Sequence, residues 1–295
     1  MRKIKDIKTR NKAFFAVGTL MLAALFVITL GSGSSTAGFL AKITNSTDTA
    51  GSAQYFKCAT AYTADKTNAI FQYSFNQVSN STTATDLSGH GSSGTYNGNM
   101  TADNTTRTSG CPRDAGRVYV LDGTTSYLTN SPGTSHAAID TFTEEVWFNA
   151  ASTVTTGGRL IGWGAAATGA SGQYDRHIWM DNSGKINFGV YNGAIHVITS
   201  PSAYNDGNWH YVAASLSTAG MSLYIDGAVV GTDPTTTGEG EAGYWRIGYD
   251  NVNSWGATTP TNYFFNGKMA WAAVYSVVLT AAQLSNHWSA GRSAN

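Results

Sequence analysis

Two pairs of carboxylates stand close enough along the chain to suggest bond cleavage. Retaining cleavage of a glycosidic bond uses two carboxyl groups about 5 Å apart, and on a strand that separation requires positions two apart, which share a face. Glu144 and Glu145 are neighbours in TFTEEVWF, an extended run, so they point to opposite faces and do not form such a pair. Glu239 and Glu241 have the spacing, but Gly238-Glu239-Gly240-Glu241 has no apolar framework and reads as a solvated loop. Six histidines (His90, His136, His177, His196, His210 and His287) are scattered, with neither H-E-x-x-H nor a paired His/Cys spacing for zinc. No G-x-S-x-G nucleophile elbow is present either. The expectation is therefore a protein that is not an enzyme.

Binding chemistry is better represented. Flat aromatic rings stack on the apolar faces of sugars while amides, carboxylates and backbone groups orient the hydroxyls, usually from loops at the edge of a rigid scaffold. Two loops have that composition. Residues 171–177 supply Tyr174, Asp175 and Arg176, and residues 250–263 supply Asn251, Asn253, Trp255 and Tyr263 amid glycine and threonine. The alternative for each ring is that it caps the core from its loop.

The elements that must hold these loops are strands. After residue 66 short apolar runs alternate with turn residues, the pattern of an antiparallel sandwich. Asp122-Gly123, Asn192-Gly193 and Asp226-Gly227 follow or separate such runs, and each dipeptide favours the positive φ of a tight hairpin. Near the end, Thr280 and Gln283 have capping-box spacing ahead of Leu284 and Trp288, which predicts one short C-terminal helix. Glu144 is an anomaly in this scheme, because it shares a face with Phe142, Val146 and Phe148. A buried carboxylate needs a partner, so either Arg159 pairs with it or the position lies at the sandwich rim.

The chain has 295 residues, with 12% charged, 33 glycines and 5 prolines, which describes a globular protein with one sizeable core. Its formal net charge of zero hides an asymmetry: Arg2, Lys3, Lys5, Lys8, Arg10 and Lys12 precede an uncharged run, residues 13–30. GSGSSTAG follows that run. The order predicts an export signal with a cut after Ala37, or, if residues 13–30 stay uncut, a membrane anchor. From Gly38 onward the count is 12 basic against 17 acidic residues, which offers no field for phosphate backbones and excludes nucleic acid as a partner. In an exported chain the two cysteines, Cys58 and Cys111, suggest one disulfide, with a free structural pair as the alternative. The expected division is 1–37 as leader or anchor, 38–65 as a linker or added strand, and 66–292 as the folded domain.

Several strings, taken in order, resemble the laminin-G-like (concanavalin A-like) jelly-roll domains. They are FQYSF at residues 71–75, DLSGHG at 86–91, GTYNG at 94–98, Leu121-Asp122-Gly123 with Ser126-Tyr127-Leu128, and Val146-Trp147-Phe148. Phe142-Thr143, DGNWHYVA at 206–213, LYIDG at 223–227, Phe265-Asn266-Gly267, Val274-Tyr275 and Leu279-Thr280 complete the set. The leader followed by STAGF and TNSTDTAGSA is similar to the N-terminal entry of camelysin-like exported surface proteins. The jelly-roll resemblance implies an all-β fold, a sandwich of two curved antiparallel sheets, here with an N-terminal signal or anchor helix and a short C-terminal helix. Relatives of this type mostly bind sugars or proteins, although some are glycoside hydrolases with an E-x-D-x-E strand that this chain lacks. Some hold calcium, and Asp122 matches a family aspartate, but Ala270 stands where its acidic partner is expected. Asp122 acting only as a turn former is the other reading.

The last strand departs from the family in a second way. Period-2 alternation places Ala270, Ala272 and Val274 toward the core and Met269, Trp271, Ala273 and Tyr275 outward. An apolar outward row of Met269, Trp271 and Tyr275 marks either a partner surface or a face covered by the N-terminal segment or a loop. The combined expectation is an exported, cell-surface or secreted recognition module for a glycan or a surface protein. The alternatives are a structural subunit that self-assembles by adding its N-terminal strand to a neighbour, and a glycoside hydrolase.

Overall fold

The computed structural model describes residues 43–44, 49–50, 55–103, 110–114, 116–131 and 133–292. The expected leader at 1–37, with its hydrophobic run, lies outside the described residues. The chain divides into two units after Ser52, and in the first of them the described residues are β1 (Ile43–Thr44), which pairs antiparallel with β2 (Thr49–Ala50). The second unit begins at Ala53 and holds everything that follows.

That unit is a sandwich of two antiparallel sheets, the jelly-roll architecture. The first sheet runs β17 (Ala228–Asp233), β16 (Gly220–Ile225), β15 (Trp209–Ser217), β10 (Phe142–Asn149), β19 (Asn266–Tyr275), β7 (Val118–Asp122) and β6 (Thr101–Asp103). β3 (Ala69–Tyr73) takes over from β7 along the second half of β19. The second sheet runs β14 (Ile195–Ala203), β13 (Lys185–Tyr191), β12 (Tyr174–Met180), β11 (Gly158–Gly164), β18 (Ala242–Ile247), β8 (Tyr127–Asn130), β5 (Gly94–Asn97) and β4 (Thr83–Ala84). β9 (His136–Ala137) also pairs with β18. Alternating residues of both sheets, among them Phe142, Val146, Ile178, Phe188, Val212 and Leu223, fill the space between.

The turn signals divide by what they connect. Asp226 (φ 51°) and Gly227 (φ 79°) both take the left-handed conformation that a two-residue hairpin between β16 and β17 requires. Asn192-Gly193 likewise joins the paired strands β13 and β14, with Gly193 at φ 102°. Asp122-Gly123 corrects the expectation of a third hairpin: β7 lies in the first sheet and β8 in the second, so this turn carries the chain across the sandwich.

A bulge in β19 inverts the expected faces of Met269 and Ala270 and leaves those of residues 271–275 as expected. Val146 of β10 stands opposite Ala272 and Trp147 opposite Ala270, which leaves Trp271 as the extra residue, with φ 47°. Period-2 alternation therefore slips by one. Met269, expected outward, packs in the inter-sheet core with Ala272 and Val274, while Ala270 joins Trp271, Ala273 and Tyr275 on the outer face.

That outer face is covered. Helix α1 (Cys58–Asp65) lies on it, within the stretch expected as linker or added strand, and helix α2 (Ala281–Gly291) lies beside it. The capping box predicted for α2 is present, with the Thr280 hydroxyl accepting from the Gln283 backbone and the Gln283 side chain accepting from the Thr280 N–H. No side chain at its N-cap bonds to α1. α1 is held instead by the Cys58–Cys111 disulfide, by the Ala59 N–H donating to Asp114, and by Tyr62 stacked between Trp271 and His287. Met269, Trp271 and Tyr275 are all buried, so they form no exposed partner surface.

Candidate functional site

The outer face of the second sheet carries a groove of about 200 Å³. Its lining comes from three places. Gly172, Gln173 and Tyr174 lead into β12; Tyr191 and Ile195 flank the β13–β14 hairpin; and Glu239, Asn253, Ser254 and Trp255 come from two loops. Alternation along β13 sends Ile186, Phe188 and Val190 into the core and Asn187, Gly189 and Tyr191 outward, which is how Tyr191 reaches the groove. Tyr174 and Tyr191 are half-buried, and Ile195 is 45% exposed. The groove therefore offers two partly open phenol rings and an aliphatic side chain beside an amide, a carboxylate and backbone groups.

The walls are fixed by buried polar groups. Asp175 accepts from the backbone N–H groups of Arg176, Tyr191 and Glu239, the last two at 2.7 Å, and pairs with the Arg176 guanidinium at 2.7 Å. Burial raises its carboxyl above the usual range against the pull of Arg176. Arg176 in turn donates to Asp140 and to the carbonyls of Ile139 and Glu239. Asp175 and Arg176, expected to touch ligand, are each 1% exposed and instead tie the Glu239 loop and the β13–β14 hairpin to β12. Glu239 stands in a loop and is partly exposed, as expected, but it also lines the groove, and partial burial, with the Asp175 charge next, raises its carboxyl above the ordinary value. Glu241 accepts from Gln173 at 2.7 Å.

The 250–263 loop is pinned in the same manner. Asp250 accepts from the Ser171 N–H and hydroxyl, both at 2.8 Å, and lies 3.5 Å from Arg159 and 3.6 Å from Arg246. Asn251 donates to the Ser171 carbonyl and accepts from the Asn253 N–H, so its amide is spent on shaping the loop. Tyr174 donates its hydroxyl to the Asn253 carbonyl at 2.8 Å. Trp255, expected as a stacking platform, is only 4% exposed and packs against Trp179 and His177, which fits the alternative that it caps the core from its loop. Tyr263 packs at the edge of this cluster and does not line the groove.

Of the seven expected ligand residues the structure thus brings Tyr174, Asn253 and Trp255 to one groove, with Asp175, Arg176 and Asn251 behind it. Gln173, Tyr191, Ile195 and Glu239 were missed by sequence reasoning. The outward alternation of Asn187, Gly189 and Tyr191, ending at an Asn-Gly turn, was the signal for Tyr191.

Three other candidates have structural roles. Asp122 accepts from the backbone N–H groups of Thr124, Thr125 and Ser126 and from the Thr125 hydroxyl, so both oxygens serve the turn. Its carboxyl is held far below the usual range by these bonds, which outweigh its partial burial. Ala270 lies on the covered face of the first sheet and brings no oxygen ligand, so these two positions do not fit calcium. His210 is bridged by Asp226 at 2.7 Å and Asp206 at 3.1 Å, which clamps two turns together.

Glu144 corrects the rim alternative. It is fully buried between the sheets with no hydrogen bond to either oxygen, and burial raises its carboxyl well above the ordinary value despite the attraction of Arg159. Glu145, on the opposite face, accepts from the hydroxyls of Tyr211 and Tyr275 and contacts His287. The two carboxylates are separated by the sheet, as their adjacency predicts.

Comparison with known proteins agrees with the architecture. Residues 122–285, more than half of the chain, match the family model for the concanavalin A-like lectin/glucanases superfamily. A search of curated proteins found no match. Among solved structures, domain 4 of AbnA, a GH43 extracellular arabinanase from Geobacillus stearothermophilus in complex with arabinotriose, is similar over 75% of this chain and 98% of its own. The identity there is 16% and the TM-score 0.50. The binding domain of a botulinum neurotoxin of serotype D/C is similar over 76% of this chain and 52% of its own, at 13% identity and a TM-score of 0.56. These likenesses extend the fold match beyond the family segment to most of the sandwich, and the chain belongs to the concanavalin A-like lectin/glucanases superfamily.

Proposed function

We propose that this protein is an exported, non-enzymatic recognition module that binds carbohydrate in the groove between Tyr174, Tyr191 and Glu239. The observation that carries this reading is the pairing of two partly open phenol rings with convergent polar groups on a floor fixed by Asp175, Arg176 and Asp250. Preorganised walls spare the ordering cost of binding. The complex of the arabinanase domain with arabinotriose adds support from a protein of the same fold. Glu239 is the single carboxylate among the groove's lining residues, and the nearby Asp175 is committed to four donors, which favours recognition over a two-carboxylate hydrolysis. Export rests on the basic start, the apolar run at residues 13–30 and the disulfide.

The test is a glycan array probed with the purified full chain, with and without calcium, repeated with Tyr191→Ala. Reproducible retention that falls about tenfold in the variant supports the reading, a tenfold change corresponding to about 1.4 kcal/mol. A blank array, or retention indifferent to Tyr191, overturns it. Assembly by an added N-terminal strand is the weaker reading, because residues 58–65 fold as α1 onto their own sheet.

A further inference from the structure

Beneath Trp255 the outer face of the second sheet is nearly bare. His177 of β12 pairs with Gly162 of β11 on one side and with Gly189 of β13 on the other, so three adjacent positions carry one side chain. Gly189 is required by the rings that lie over it and Gly162 by the strand beside it. A Cβ on Gly189 would sit 2.6 Å from the Trp255 ring and 2.7 Å from the Trp179 ring, and one on Gly162 would sit 2.2 Å from the His177 Cβ. Without Trp255 this place is a shallow basin floored by glycine, with Tyr174, Trp179 and Tyr191 around it.

The basin contains a polar group with nothing to bind. His177 is fully buried, and neither ring nitrogen has a hydrogen-bond partner. Its ring meets the Trp255 ring edge-on, with centroids 4.3 Å apart, and the Trp179 ring at 4.8 Å. Buried polar groups of native proteins are nearly always paired, and leaving one unpaired costs about 1–3 kcal/mol. An imidazole in that condition, directly under a ring that lines the groove, is suited to a partner that arrives from the groove.

The turn carrying Trp255 is fastened on both sides of the ring. Ser254 (φ 67°) and Gly256 (φ 70°) flank Trp255 in the left-handed region. Outside them the loop is fastened at Asn253, whose carbonyl accepts from the Tyr174 hydroxyl at 2.8 Å, and at Thr258, whose carbonyl accepts from the Trp179 indole N–H at 2.7 Å. The Trp255 carbonyl itself accepts from the Thr258 hydroxyl at 2.9 Å and the Gly256 carbonyl from the Thr259 N–H at 3.2 Å, so with the loop held in place the ring can leave only by rotation of the Trp255 side chain about its own χ angles.

We propose that Trp255 is a displaceable cover over a second, deeper subsite of the groove, floored by Gly162, His177 and Gly189, which accepts one unbranched sugar ring whose hydroxyls satisfy the two nitrogens of His177. This inference rests on the carbohydrate reading of the groove. Its physical content is an exchange. In the free protein the Trp255 ring shields the basin from water; in the complex a ring of similar breadth takes its place, with apolar faces against Trp179 and Tyr174 and hydroxyls against the imidazole.

Arabinotriose, xylotriose and cellotriose titrated into the full chain by calorimetry provide the test, with Trp255→Ala, Trp255→Leu and His177→Phe alongside. A cover predicts that Trp255→Ala binds the retained sugar at least tenfold more tightly than the natural chain, because no ring must leave. It also predicts that His177→Phe, which keeps the shape of the ring, binds at least tenfold more weakly. In chain labelled with 5-fluorotryptophan, the resonance lost in Trp255→Leu shifts when that sugar is added. Sugar binding by the natural chain with equal or weaker binding by Trp255→Ala, or with no loss in His177→Phe, overturns the cover and leaves the groove reading standing. Absence of binding by all four proteins overturns the groove reading, and the cover with it. Thermal melts of each variant separate weakened binding from failed folding, and Trp255→Leu, which retains apolar bulk over the basin, serves if Trp255→Ala does not fold.

Discussion

His287 lies between two carboxylates, 3.0 Å from Glu145 and 3.1 Å from Asp65, at a position closed to solvent. Burial alone lowers the pKa of an imidazole; here Glu145 and Asp65 outweigh it and raise the value to about 9. The pair joins α2 to β10 and to the end of α1, under the ring of Tyr62.

The sign of the pH dependence follows. A histidine raised above its ordinary value near 6.5 contributes stability that is fully present below pH 6.5 and is lost as the pH rises through about 9. Urea unfolding of the natural chain should therefore show a falling midpoint between pH 6.5 and 9.5, and His287→Gln should flatten that slope. An unchanged slope in the variant would assign the dependence to other groups.

Glu144 predicts the opposite outcome for removal. A carboxyl raised by burial is most easily carried while protonated, so its penalty grows as the pH rises above the ordinary carboxylate value. Glu144→Leu should stabilise the domain by about 1–3 kcal/mol, the cost of an unpaired buried polar group. Chemical denaturation at pH 5 and pH 8 checks this, with the larger gain expected at pH 8.

The disulfide closes a separation of 53 residues, for which chain entropy gives about 4 kcal/mol of stabilisation. Reduction, or replacement of both Cys58 and Cys111 by serine, should lower the unfolding free energy by an amount of that order. It should also loosen α1 and admit solvent to Trp271, which acrylamide quenching of tryptophan fluorescence would register. Quenching that does not change would mean that Tyr62 and Asp114 hold α1 without the bridge.

Gly189→Ala should disturb the second sheet locally, since the added methyl meets the Trp255 and Trp179 rings at under 3 Å. Overpacking of this kind costs about 1–3 kcal/mol. A melting temperature equal to that of the natural chain would indicate that the Trp255 and Trp179 rings both yield without resistance.

The parts of the fold governed by local rules were legible. Asp226-Gly227, the Thr280/Gln283 box and the alternation of Ile186, Phe188 and Val190 each act over a few residues, and each appears as expected. Asp122 makes the same kind of turn whether the next strand returns to its own sheet or crosses to the other, so its dipeptide did not reveal the crossing. Along β19 the faces of residues 271–275 were legible and those of Met269 and Ala270 were not, because a bulge at Trp271 depends on how β10 pairs with it from more than a hundred residues away. Helix α1, eight residues without a side-chain cap, forms through the disulfide and the sheet beneath it rather than by its own propensity. At the groove, Tyr174, Asn253 and Trp255 were found because their loops are rich in aromatic and amide groups. Glu239 was set aside because its glycine-flanked loop gives no sign of the Asp175 contact that places it.

The Cys58–Cys111 bridge also settles how the domain would carry a pull. Tension entering from the residues before Cys58 passes at once through the two sulfurs to Cys111, whose backbone N–H is bonded at 2.8 Å to the Gly291 carbonyl at the end of α2. From there it runs along β7 of the first sheet and through Asp122-Gly123 into β8 of the second sheet, which carries the groove. The intervening chain, which includes α1, β3, β4, β5 and β6, is a side loop of this covalent route and carries no backbone tension along it while the bridge is intact. A domain tethered on that side and holding a ligand in the groove is thus strung between its two attachments by a covalent short circuit, and its first four strands stay folded under force that would otherwise peel them away in order.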